Sequence, residues 1–95
     1  MDAMVNERKM SLADMEKVAK EATYQALLAY YPPSPEDKQK LTLGKILTDS
    51  AGIFELYVPA DRPQDAKVIS RAIVDRIAGT VKVEVFLERV MNFAP

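Results

Sequence analysis

The side chains able to do chemistry in this sequence are few in kind. Histidine and cysteine are both absent. That removes the commonest general base, the commonest metal ligand and the thiol nucleophile. Asp, Glu, Lys, Tyr, Ser and Thr remain. Tight acid groups occur at Glu36-Asp37 and at Asp61 with Asp65. Paired carboxylates can run acid–base chemistry or hold a hard cation. Both groups, however, stand where a helix is expected to open, and an acid there answers the helix dipole and unpaired N–H groups. Lys45 lies between apolar neighbours and Lys82 within an alternating run. An amine nucleophile needs burial and a lowered pKa, and neither lysine has a sequence neighbour that would provide them. Ser50 has no visible base. The three glycines, at 44, 52 and 79, are too few for a phosphate loop, and neither GxGxxG nor GxxxxGK[ST] occurs. No catalytic residue, metal ligand or cofactor is therefore expected, and the chain reads as a non-enzyme.

Charge narrows the partners. The 13 basic and 14 acidic residues give a net charge of −1 and are mixed along the chain. Nucleic acid is disfavoured, since a polyanion partner calls for a basic patch. Lys67 and Arg71, with Arg62 and Lys82, are the best cations for that alternative. No apolar run reaches the length needed to span a bilayer, and residues 1–10 lack the hydrophobic stretch of a signal peptide. The missing cysteine suits a cytoplasmic protein.

The elements that would position any site can be read in order. Residues 1–10 are a frayed terminus or a short strand at Ala3-Met4-Val5. A single α+β domain is expected over residues 11–95. Residues 11–31 predict a helix, with Ser11 as cap and Pro32-Pro33 as stop. Its Met15, Val18, Ala19, Ala22, Ala26 and Ala29 share one face. Residues 32–40 read as a polar helix-to-strand linker, within which Ser34-Pro35-Glu36-Asp37 has the order of a short helix start. Leu41–Leu47 reads as a strand with some helical spacing, and Ile53–Val58 reads as its hairpin partner across the Thr48–Gly52 turn. Residues 60–79 predict a helix, opened by Pro63, striped by Ala66, Ile69, Ala72, Ile73 and Ile77, and stopped at Gly79. Residues 81–90 alternate as a strand with Lys82, Glu84, Phe86 and Glu88 on the wet face.

The predicted order is (β)-α-β-β-α-β. That is a two-layer sandwich with helices on one face of a three- or four-stranded, mainly antiparallel sheet. A strand within residues 1–10 would make the plan ferredoxin-like. RNA-binding sheets share that order, but Ala51–Val58 lacks their aromatic pattern and carries Glu55, which would repel phosphate.

Binding is the function left. The first helix has a second apolar face, Tyr24, Leu27, Leu28 and Tyr31 at i, i+3, i+4 and i+7, opposite its alanine stripe. A surface helix with one buried stripe should not show it. Tyr57 and Phe86 are expected as aromatics on the open sheet face. These six residues are the candidate partner-binding set. A protein partner or self-association as a homodimer is expected. The alternative is a ferredoxin-like regulatory module that binds a small molecule at Gly44, Lys45 and the Asp49–Gly52 turn.

Overall fold

The computed structural model describes residues 9–88. Helix α1 runs Leu12–Leu27, helix α2 Pro35–Lys40, and strands β1 to β4 run Thr42–Leu47, Ala51–Val58, Lys67–Asp75 and Val81–Val85. A 3-10 turn, Pro63–Asp65, precedes β3. The strands form one antiparallel sheet in the order β1-β2-β3-β4. The expected strand Ala3-Met4-Val5 and the stretch beyond Glu88 lie outside the described residues.

Both helices start as the capping chemistry dictates. Ser11 Oγ accepts from the Asp14 N–H at 3.1 Å, and Ser34 Oγ from the Asp37 N–H at 3.1 Å. Pro35 stands at the start of α2, where a missing N–H costs nothing. Helix α1 ends at Leu27 rather than continuing to residue 31. Tyr31 precedes a proline, which disfavours helical backbone, and its N–H instead donates to the Glu88 carbonyl at 2.9 Å.

The segment expected as a helix over residues 60–79 is strand β3. Pro63 opens only the 3-10 turn, and Gly79, at φ +80°, serves the β3–β4 turn instead of a helix end. In that turn the Asp75 carboxylate accepts from the N–H groups of Ile77 and Ala78 at 2.9 and 2.8 Å. The described residues thus run α-α-β-β-β-β, and they do not show the ferredoxin-like plan. What they show is an α+β fold with α1 packed on a four-stranded antiparallel sheet.

The register sorts the two sheet faces. Cross-strand rows Leu43–Leu56–Ser70–Val85, Lys45–Phe54–Ala72–Val83 and Leu47–Gly52–Val74–Val81 face α1. The core forms where α1 meets them: Met15, Ala19, Phe54, Ala72 and Val74 are buried together, with Leu43, Val81 and Val83 packed around. On the other face, Glu55, Arg71 and Glu84 form one row. A bulge shifts the β2–β3 register between Leu56 and Tyr57.

Candidate functional site

The residues named from sequence fall on two separate surfaces. Helix α1 leaves part of the sheet uncovered beside β1 and β2. Between them lies a groove of about 370 Å³, floored by Leu43, Phe54 and Leu56 and walled by Ala19, Thr23, Tyr24 and Leu27 of α1. Tyr24 is 63% exposed and Leu28, one turn on, is 64% exposed. Leu27 is half-buried because it turns toward the groove. Tyr31 is exposed but lies beyond the helix, so the expected helical i, i+7 relation to Tyr24 does not hold.

Tyr57 and Phe86 stand on the opposite sheet face and are not brought to the groove. The Tyr57 ring lies against Gly44, where an added β-carbon would meet its Cε1 at 3.3 Å. Phe86 lies under the Arg71 guanidinium, 5.6 Å from cation to ring centroid. Arg71 also donates to Glu55 at 2.7 Å and to Glu84 at 3.4 Å. The Glu55 hydrogen bond, with the nearby acidic charges, holds the Arg71 pKa above its ordinary value.

Of the four cations named for a nucleic-acid partner, Arg62, Lys67 and Arg71 are paired with acids. Arg71 sits between two acids on a strand, not on a helix. Lys67 meets Asp37 at 3.2 Å, and Arg62 meets Asp65 at 3.1 Å. Of the expected acid groups, Asp37 pairs with Lys67 and Asp65 with Arg62. Among the described residues, no cluster of three or more His, Cys, Asp or Glu side chains is placed to hold a metal ion. No helix among them is long and apolar enough to cross a membrane.

One charged feature at the groove escapes sequence reading. Glu16 of α1 meets Lys45 of β1 at 2.8 Å and Lys20, one helical turn on, at 3.1 Å. Hydrogen bonds from Lys45 and then Lys20 hold the Glu16 carboxyl below the usual glutamate pKa. The Glu16–Lys20 half was readable as an i, i+4 pair; Lys45 arrives only through the fold. One carboxylate faces two ammonium groups, so the groove's rim keeps one net positive charge.

The outer edge of β1 borders the same groove. The Thr48 N–H donates to the Ala51 carbonyl at 2.8 Å, which makes that pair a hydrogen-bonded one. Alternation then assigns β1 backbone bonding to β2 at residues 46, 44 and 42. Leu43, Lys45 and Leu47 therefore turn their N–H and C=O groups away from the sheet. β1 is the terminal strand in the sheet order, so among the described residues that edge has no strand partner. Comparison of the chain with protein-family models, with curated proteins and with solved structures finds no match.

Proposed function

We propose that this chain is a small, non-catalytic protein–protein interaction domain that takes its partner on the second face of α1 and the groove beside it. The observation that carries this reading is the incomplete cover of the sheet by α1. The groove is lined almost wholly by apolar atoms, and exposed Tyr24 and Leu28 continue it along the helix. Contiguous exposed apolar surface of this kind favours association, and tyrosine beside leucine is a frequent interface composition. A ferredoxin-like plan would lay a second helix over this part of the sheet. The cysteine-free composition suits work in the cytoplasm.

Leu28→Asp tests the reading, because Leu28 is exposed and outside the core. Wild type and variant are compared by light scattering after size exclusion over a wide concentration range, and by capture of binding proteins. The expected result is an unchanged circular dichroism spectrum with loss of a dimer or of a specifically captured protein. Equal association by both proteins would sink the proposal.

A second reading is an apolar small molecule in the groove. Its volume lies in the range of ligand sites, although its open shape suits an extended chain better. Lys45, expected as an anion contact for a ligand loop, is instead paired with Glu16. A metabolite panel that leaves the melting temperature unmoved at high excess would remove this reading.

A further inference from the structure

We infer that the outer edge of β1 receives an extended segment of a partner protein as a fifth strand, with an acidic residue of that segment set opposite Lys45. This deepens the interaction reading above and rests on it.

Three observations converge. The first is backbone chemistry. Leu43, Lys45 and Leu47 present outward N–H and C=O groups that no described strand satisfies. An added strand would bond to them, and main-chain bonding of this kind gives affinity without demanding sequence. Natural edges are blunted by proline, a bulge or a charged side chain, lysine above all, and Lys45 is the one such device on β1. β1 has no proline, and its register with β2 runs without a shift from residue 42 to 47.

The second is side-chain direction. The residues whose backbone faces outward also aim their side chains at the α1 side of the sheet, since successive residues alternate. Leu43 floors the groove, and Leu47 is exposed at the other end of the strand. An incoming strand's alternate side chains would fall on the same face, beside Leu43 and Leu47, where apolar groups extend the apolar surface.

The third is charge. Lys45, between those leucines, shares Glu16 with Lys20. Two copies of this chain paired edge to edge about Lys45 would place Leu43 beside Leu47 but would set Lys45 against Lys45. Like charges directly opposite destabilise a sheet. An acidic residue there relieves the excess positive charge. The favoured occupant therefore reads apolar–x–acidic–x–apolar and comes from another protein.

The probe is a labelled heptapeptide of sequence Thr-Val-Thr-Glu-Thr-Leu-Thr, with a second peptide carrying Lys in place of Glu. Binding is followed by fluorescence polarisation and by amide chemical shifts of the intact chain. The Glu peptide should bind at least tenfold more tightly than the Lys peptide, and Lys45→Glu should reverse the order. Shifts should centre on the Leu43, Lys45 and Leu47 amides. Those amides should exchange rapidly in the free protein.

Equal binding of the two peptides, or no binding of either, overturns the inference. So does slow exchange in the free protein, which would mean that the edge is already paired by the chain's own residues, or by a second copy where light scattering reports a dimer. Peptide shifts confined to Tyr24 and Leu28 would overturn the strand mode while leaving the α1 face as an interaction surface. Loss of association in Leu28→Asp alongside failed peptide binding separates the two readings in the same way.

Discussion

The thioether of Met15 lies directly over Gly52. A β-carbon added to Gly52 would stand 2.9 Å from Met15 Sδ, 3.1 Å from its Cε and 3.1 Å from Phe54 Cε1. Met15 and Phe54 are both buried in the core cluster. This contact sets how closely α1 approaches β2, and only a residue without a side chain permits it. A methionine tip on a surface would swing aside, but this one is enclosed. Gly52→Ala should therefore destabilise the fold by about 1–3 kcal/mol, the usual cost of overpacking. The urea midpoint should fall with an unchanged slope. A variant as stable as wild type would mean that α1 can lift from the sheet without loss.

The acid limb of stability follows from the carboxylates. Asp75 is held below its ordinary value of 3.8 by N–H donation from Ala78 and Ile77. Lys9 donates to Asp49 at 2.6 Å and lowers it likewise, and Lys45 with Lys20 lowers Glu16 below 4.5. A carboxyl whose folded pKa is depressed adds stability above its unfolded pKa. That contribution is lost as pH falls through the folded value. With no histidine in the chain, no side chain of ordinary pKa titrates near neutrality. The melting temperature should stay level from about pH 8 to 6 and fall below about 4.5, where the unfolded chain takes up protons first. Asp75→Asn keeps an acceptor for the turn but loses the charge. Its acid decline should be shallower than that of wild type. A steeper one would mean that the Asp75 charge does not favour the folded state.

Sequence reading succeeded where a local signal had no rival. Ser11 capped its helix as expected, Ser34 opened a short helix within the stretch that reads mainly as a linker, and the Thr48–Gly52 turn joined two strands. It failed at residues 60–79 because two periods coincide there. Ala66, Ile69, Ala72, Ile73 and Ile77 fit a helical stripe, yet Ser70, Ala72 and Val74 lie in one row direction of a central strand. Ile69, 1% exposed, is the extra residue at the β2–β3 bulge, and it interrupts the alternation that Ser70, Ala72 and Val74 keep. Polar Ser70 on the buried face and apolar Ile73 on the open one blur the two-residue pattern that marks a strand. The β-branched run Val68-Ile69 and Ile73-Val74 was the signal that favoured strand. At the candidate site, Tyr24, Leu27 and Leu28 were legible from helix 1 alone. The groove was not, because Leu43 and Leu56 reach it from strands far along the chain. The misread helix also hid the Glu55–Arg71–Glu84 row, which exists only once β3 separates β2 from β4.

Tyr57 and Gly44 make a second coupled pair, on the open face. The ring shields a glycine in a strand, where a missing side chain otherwise weakens the sheet. Tyr57→Ala should cost about 1 kcal/mol, in the range of cross-strand aromatic contacts. Gly44→Ala alone should gain less than β-carbons usually give, because the ring stands 3.3 Å away. In the Tyr57→Ala background the same change should stabilise by about 0.5–1 kcal/mol. Additive effects in this double-mutant cycle would show that the ring and the glycine do not act together.

Ser70 gives the last test, because it sets polarity against packing. It is 1% exposed, in the row between Leu56 and Val85 that faces α1. Among the described residues its hydroxyl has no hydrogen-bond partner, while its backbone belongs to the β2–β3 and β3–β4 ladders. A buried hydroxyl without a partner carries its desolvation cost uncompensated. Ser70→Ala removes that cost and only one heavy atom, so the cavity is small. The expected change is from neutral to a gain of about 1 kcal/mol. Val74→Ser makes the opposite change two rows away, at a residue with 0% exposure, and should lose about 2 kcal/mol or more. The two urea midpoints should move apart from wild type in opposite directions, or Ser70→Ala should stay level. If Ser70→Ala loses stability as Val74→Ser does, an ordered water bonded to the hydroxyl is part of the core, and the α1–sheet contact is wet at that row.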